Sequence, residues 1–244
     1  MSKPRILGVR LPERPMAWLE SFGRRARRWK SRIDRLFFPW FSRRIARDGF
    51  DARHGTDTAT LCEARNDQGE LVYRYETVHV RAMETALDSL RLDFTGFAFI
   101  DLGCGKGKPL LVADRRPFER ILGVDIDRRS IAIAEQNRDR LGLTSRVELQ
   151  VADATHFLFP PMPLVVYLFN PFPAPEMQIV VARLVESLQR HPRPVAVIYL
   201  NPRHADLFAA TGIFEEAART RGVIADHESS ISFVNDMAAR LRQP

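Results

Sequence analysis

Short apolar runs without in/out alternation recur through the chain, separated by stretches of helical spacing, and this alternation restricts the fold more than any other feature. The runs are Phe97 to Ile100, closing on Asp101; Ile121 to Val124, closing on Asp125; Val147 to Val151; Leu164 to Phe169; and Val195 to Leu200. Ahead of the first, Val78 to Leu92 places Val80, Met83, Ala86, Leu87 and Leu90 at helical spacing. Pro109 to Ala113 starts a second helix, Arg129 to Leu141 is a third that Gly142 stops, and Met177 to Gln189 is a fourth. Strands that are apolar on both faces need helices over both, which predicts an α/β fold with a doubly wound, mostly parallel sheet. The tail from Phe214 to Val234, with Gly222 to Ile224 and Ile231 to Val234, suits a closing pair of strands. Residues 50–69, rich in Asp, Thr and Gly, read as a loop-dominated connection containing His54-Gly55-Thr56-Asp57-Thr58.

The strongest local signal is Asp101-Leu102-Gly103-Cys104-Gly105-Lys106-Gly107-Lys108, a strand running into a glycine-rich turn that opens a helix. Glycines permit positive φ and let a ligand approach the backbone, while free N–H groups at a helix start favour a polar or negative group. A dinucleotide fingerprint would need its third glycine one position later, where Lys108 stands, so this spacing weakens a NAD reading.

The acidic-x-Gly-x-Gly-x-Gly spacing resembles motif I of the Rossmann-like, class I methyltransferases that use S-adenosylmethionine (SAM). The resemblance runs over about residues 75 to 235. It implies a seven-stranded sheet with the last strand antiparallel and carries roles onto several residues. Asp101, Gly103, Cys104, Gly105 and Gly107 would form the cofactor turn, with Cys104 as a small residue packed beneath the ligand. Asp125, followed by Ile126, would accept both ribose hydroxyls. Asp153, followed by Ala154, would lie near the adenine amine, and His156 could reach the same region. Because open parallel sheets bind ligands at the carboxyl ends of their strands, these strand-end residues would converge on one crevice.

Asn170-Pro171-Phe172, after the fourth run, resembles the strand end with which amino methyltransferases of this class hold a planar amine, and Asn170 would border the cofactor as well. The family pattern has two prolines before the ring; this chain has one there, and Pro173 after it. A proline-stiffened strand exit is the competing reading. Tyr75 and Thr77, just before the helix leading into the glycine turn, resemble the SAM-covering loop of non-SET protein-lysine methyltransferases, while Thr77 could equally be a helix cap. The chain as a whole is similar to uncharacterised bacterial class I methyltransferases with a glycine-lysine-glycine turn and an Asn-Pro-Phe strand end.

Composition bounds what remains. With 45% apolar residues the chain can bury a sizeable core, which excludes disorder as the main state. Two cysteines, Cys62 and Cys104, make no disulfide framework, and no Cys/His grouping has zinc spacing, so a metal-free site and a cytoplasmic address are expected. No run reaches the roughly 20 apolar residues that span a bilayer, and the first twenty lack the continuous apolar segment of a secretory signal. Residues 1–50 carry fourteen Lys/Arg against four Asp/Glu, which leaves the other 194 residues at −3 within a chain of +7. Within this part, residues 23–48 interleave arginines with Trp29, Phe37, Phe38, Trp40 and Phe41. That composition suits RNA or DNA, an anionic surface, or docking on the chain's own core.

The expectation is therefore a basic, partly helical extension over residues 1–74 and a SAM-binding methyltransferase domain over residues 75–244. The chemistry would be SAM-dependent transfer (EC 2.1.1.-) to the nitrogen of a protein lysine or a nucleic-acid base. A NAD-dependent oxidoreductase on the same fold and a non-catalytic nucleic-acid-binding module are the alternatives. Methyl transfer from a sulfonium asks the protein to align the acceptor and exclude water, so no covalent nucleophile is expected.

Overall fold

The computed structural model describes residues 48–60, 63–65, 71–74, 77–222 and 228–243. Contacts divide the chain into Met1–Arg44 and Ile45–Pro244, and the second unit is the one described. Its elements run α1 (Phe50–His54), β1 (Glu63–Arg65), β2 (Leu71–Arg74), α2 (Val80–Ser89), β3 (Ala98–Leu102), α3 (Lys108–Ala113), β4 (Arg120–Asp125), α4 (Arg128–Arg140) and β5 (Val147–Val151). A 3-10 turn (Ala154–His156) follows, then β6 (Leu164–Phe169), α5 (Ala174–Arg190), β7 (Val195–Leu200), α6 (Asp206–Ala209), β8 (Phe214–Thr220), β9 (Ser230–Asn235) and α7 (Asp236–Ala239).

Seven strands form one sheet in the order β5-β4-β3-β6-β7-β9-β8. Pairing is parallel from β5 through β7, and β9, inserted between β7 and β8, is antiparallel to both. This is the doubly wound, mostly parallel sheet expected from the apolar runs, with the last strand reversed. The chain winds from β3 out to β5 and returns to β6 on the other side of β3, so β3 and β6 diverge at their carboxyl ends and open the switch-point crevice.

The apolar runs are explained by what covers them. Phe99, Val165, Tyr167, Ala196, Ile198 and Leu200 join one cluster with Met83 and Leu87 of α2, Leu90 just after it, and Leu111 of α3. Their neighbours one residue along, Ile100, Val166, Leu168, Val197 and Tyr199, join a second cluster with Met177, Val180, Leu184 and Leu188 of α5. Period-two side chains thus feed two cores, one per sheet face.

Two expectations are corrected. Residues 50–69 are not merely a connection. Phe50–His54 is helical between Gly49 and Gly55, and Glu63–Arg65 pairs antiparallel with Leu71–Arg74. The organising force is local hydrogen bonding without periodicity: the Asp51 carboxylate accepts from the Thr56 hydroxyl (2.7 Å) and from both the N–H (3.0 Å) and hydroxyl (2.7 Å) of Thr58. The first tail strand is also displaced, since β8 is Phe214–Thr220 and ends before Gly222, while β9 contains the expected Ile231 to Val234. Residues 223–227 lie outside the described residues. The helix before β3 is trimmed to Val80–Ser89, capped by His79, whose ring Nδ1 accepts from the Arg81 N–H.

The sheet admits one close approach at its centre. A Cβ at Gly123 in β4 would lie 2.4 Å from Leu110 Cδ1, 2.9 Å from Cys104 Sγ and 3.0 Å from Leu149 Cδ2. Gly123→Ala is therefore expected to lower unfolding free energy by about 1–3 kcal/mol through overpacking. Urea denaturation checks this, and an unchanged midpoint would refute it.

Candidate functional site

β3 leads into Gly103–Gly107, the turn that opens α3. Gly103 has φ +84° and Gly107 φ +83°, a backbone region that a side chain resists. Space adds to the constraint: a Cβ on Gly103 would lie 2.7 Å from Pro171 Cβ, so the glycine turn and the exit of β6 touch directly. The N–H groups of Gly103 and Cys104 both donate to the Val124 carbonyl, at 2.8 and 3.0 Å, tying the turn to β4.

Asp125, at the end of β4, is buried and faces this turn. Its Oδ2 accepts from the Gly105 N–H (2.8 Å) and its Oδ1 from the Asp127 N–H (2.8 Å). A carboxylate offers about four acceptor positions, so capacity remains for hydroxyl donors. Asp101 is buried beside it, and its Oδ2 has no hydrogen-bond partner among the described residues. Burial pushes the Asp101 carboxyl well above the usual carboxylate range, and the Asp125 charge pushes the same way. Asp125 is also raised, by burial, against the lowering effect of its N–H donors.

Cys104 is buried, and burial with the two acids raises its thiol well above the ordinary value. It is a packing residue under the turn. Ile126, immediately after Asp125, is 67% exposed, an apolar surface left bare at the crevice edge. Asp153 is exposed and caps its own turn: Oδ1 accepts from the Thr155 N–H (2.8 Å) and hydroxyl (2.7 Å), and the His156 ring Nδ1 lies 3.2 Å from Oδ2. These hydroxyl and amide donors, with the imidazole, hold its carboxyl below the usual range. Ala154 behind it is buried. Asp153 and His156 border a cavity of about 370 Å³ that also takes in Leu122, Ala152 and Phe157.

On the acceptor side, Asn170 adopts φ +40° directly before Pro171, and the Tyr199 hydroxyl donates to its Oδ1 at 3.4 Å. Burial keeps Tyr199 a neutral donor, with its phenol pushed up to about 12. Phe172 packs partly buried against the second apolar cluster. Thr77 does not cap α2, because His79 does. Its hydroxyl is buried without a partner among the described residues, three positions before Val80. Tyr75 lies outside the described residues, as do residues 23–47 of the basic segment.

One residue of this edge was missed. Asn201, φ +48°, precedes Pro202 at the end of β7, and the register Phe169↔Leu200 sets it beside Asn170. The signal was present as a second Asn-Pro dipeptide after an apolar run. No group of three or more His, Cys, Asp or Glu among the described residues could hold a metal ion.

Residues 99–191 match the family model described as "Methyltransferase domain". Over these residues the chain is similar to that domain. A ribosomal protein L11 methyltransferase of Colwellia psychrerythraea is 27% identical over 129 residues, 53% of this chain and 38% of the relative. One from Tolumonas auensis is 36% identical over 67 residues, 28% of this chain and 22% of the relative. The chain thus spans well under half the length of these curated relatives. Among solved structures, the ribosomal protein L11 methylase of Lactobacillus delbrueckii subsp. bulgaricus superposes with TM-score 0.50 at 18% identity, over 66% of this chain and 80% of that one. The magnesium protoporphyrin IX methyltransferase of Synechocystis PCC 6803 gives TM-score 0.51 at 17% identity, over 65% and 80%. At such identities the likeness establishes the fold alone.

The buried acids make stability depend on pH in a definite direction. Groups whose pKa is raised by folding favour the protonated form in the folded state, so their contribution is complete below the ordinary carboxylate range and is lost as pH rises toward the raised values. Asp101→Asn is expected to match the unaltered chain near about pH 4 and to melt at higher temperature than it near about pH 8. Thermal melts of the ligand-free protein across that range test this; parallel curves would contradict the placement of Asp101.

Proposed function

We propose that the chain is a SAM-dependent methyltransferase that methylates nitrogen, with a protein amino group as acceptor. The observation that carries it is the junction at the switch point, where the glycine turn bonds to Asp125 and rests against Pro171. Turn, ribose-type carboxylate and acceptor-side Asn-Pro-Phe then share one crevice. The donor set fits the cofactor. Two buried oxygens without a partner among the described residues, Asp101 Oδ2 and Thr77 Oγ1, are suited to polar donors, and Asp125 keeps acceptor positions for a pair of hydroxyls.

SAM supplies a methyl group on a sulfonium whose leaving group is a neutral thioether. The chain then has to bind, align and exclude water. Gly103, Gly105 and Gly107 leave room at the turn, Cys104 fills the space beneath it, Ile126 offers an apolar face, and Asp153 with Ala154 closes the far rim. The resemblance to the protein-lysine enzymes gives Tyr75 and Thr77 the methionine end. Asn170 holds the accepting nitrogen through its amide, oriented by the Tyr199 hydroxyl, with Phe172 beside it. The name borne by the curated relatives supports a protein acceptor, which also agrees with the likeness of Tyr75, Thr77 and the glycine turn to protein-lysine enzymes. Among the described residues no helix is long and apolar enough to cross a membrane; we assign the chain to the cytoplasm, with residues 23–48 available for an RNA, DNA or anionic contact. Residues 1–74 are assigned as its extension and 75–244 as its transferase domain.

Calorimetric titration with S-adenosylhomocysteine and with NAD is the first test, and binding of NAD alone would overturn the proposal. Asp125→Ala should weaken adenosylhomocysteine by about 1.5–3 kcal/mol, the scale of a lost charged hydrogen bond. Asn170→Ala should leave that affinity intact while lowering transfer of labelled methyl into protein in an extract lacking the chain. Label entering RNA or DNA instead would move the acceptor to a nucleic-acid base.

A further inference from the structure

Lys106 and Lys108 flank Gly107, and lysines in a glycine turn invite a role in gripping an anionic ligand. Their ammonium groups are committed elsewhere. Lys106 Nζ lies 3.0 and 3.2 Å from the two oxygens of Asp57 and 2.8 Å from the Thr60 carbonyl. Lys108 Nζ lies 2.6 Å from Asp48 Oδ2. The lysine side chains are 2% and 1% exposed. Asp57 and Thr60 fall in the stretch 50–69 that the sequence presents as a loop-dominated connection, and Asp48 closes the basic segment 23–48.

Residues 48–60 meet the turn at further points. Asn137 of α4 accepts from the Asp57 N–H (2.8 Å) and donates from its amide to the carbonyls of both Asp57 and Lys106, at 3.0 Å each. Asp48 accepts as well from the N–H groups of Phe50 (2.9 Å) and Val80 (3.1 Å), joining the starts of α1 and α2 to that of α3. The Phe50 ring is buried in the core, with Lys108 Nζ 5.4 Å from its centroid. From the opposite side a Cβ on Gly107 would come within 3.2 Å of Ala134 Cβ in α4.

The turn is thus bonded at Gly103, Cys104, Gly105, Lys106 and Lys108 to partners distant in sequence, and residues 48–60 supply two of the holds. Buried cations hold position only while paired, because an unpaired one is costly in a low-dielectric surround. We propose that residues 48–60 are a clamp on the cofactor turn, with Lys106 and Lys108 as positioning residues: their pairs with Asp57 and Asp48 set the turn in the shape that binds the cofactor. Neither lysine touches the cofactor.

The inference rests on the cofactor reading above, and one titration series separates the two. The full chain must bind S-adenosylhomocysteine; if it does not, the cofactor reading falls and the clamp with it. Given binding, Lys106→Met is the decisive variant, since its partner Asp57 is 43% exposed and can return to water, so the fold survives. It should weaken adenosylhomocysteine by roughly tenfold or more, as expected when a binding loop loses preorganisation, with Lys106→Arg recovering most of that loss. Asp57→Asn, which removes only the charge, should weaken binding in the same direction and serves if the lysine variant does not fold. A lower melting temperature with unchanged affinity in the folded variant would make these pairs structural only and overturn the clamp.

Discussion

The carboxyl edge of the sheet depends on a contact that only glycine allows: Gly103 against Pro171, at the place where β3 and β6 part. Without a Cβ at residue 103 the exits of two neighbouring strands can meet, and each fixes the other. From that contact the glycine turn reaches Asp125 on one side, while Asn170 and Tyr199 follow on the other. The parallel sheet brings these residues to one edge, and the missing side chain lets them close into one site.

Electrostatics at this edge run against intuition. Two carboxyls, Asp101 and Asp125, are both raised by burial, and the Asp125 charge adds to the shift of Asp101, while two lysines in the adjoining turn are buried, each with its own acid. Charge is therefore sorted: acids lie beneath the turn, and cations anchor its outer side. Such sorting suits a crevice meant for a ligand carrying positive charge and hydroxyl groups, and it suits a phosphate poorly. That agrees with the departure from the dinucleotide pattern at Lys108.

Much of this was legible in the sequence because it is local or periodic. The strands Val147–Val151, Leu164–Phe169 and Val195–Leu200 follow from apolar runs, and the turn from glycine spacing. The placement of Asp125 and Asn170 at strand ends follows once the strands are known. What escaped was non-local or aperiodic. Lys106 and Asp57 are 49 positions apart and Lys108 and Asp48 are 60, so no window contains either pair. The Asp51 knot that folds residues 50–58 leaves no repeat to read, and β8, with Glu215 and Glu216 near a bulge on the sheet edge, lacks the apolar signature of the buried strands. Asn201 was visible as an Asn-Pro dipeptide, but its importance lies in its register with Asn170, which only the sheet supplies.

The two Asn-Pro turns have a consequence for how this protein can change. A residue before proline is pushed toward extended backbone, yet Asn170 and Asn201 both sit at positive φ, a conformation costing on the order of 1–3 kcal/mol apiece. Glycine at either place would relax the chain and erase the amide. Drift toward greater ruggedness and retention of the two amides thus pull in opposite directions at these two positions, so a search for hardier variants should begin elsewhere on the molecule.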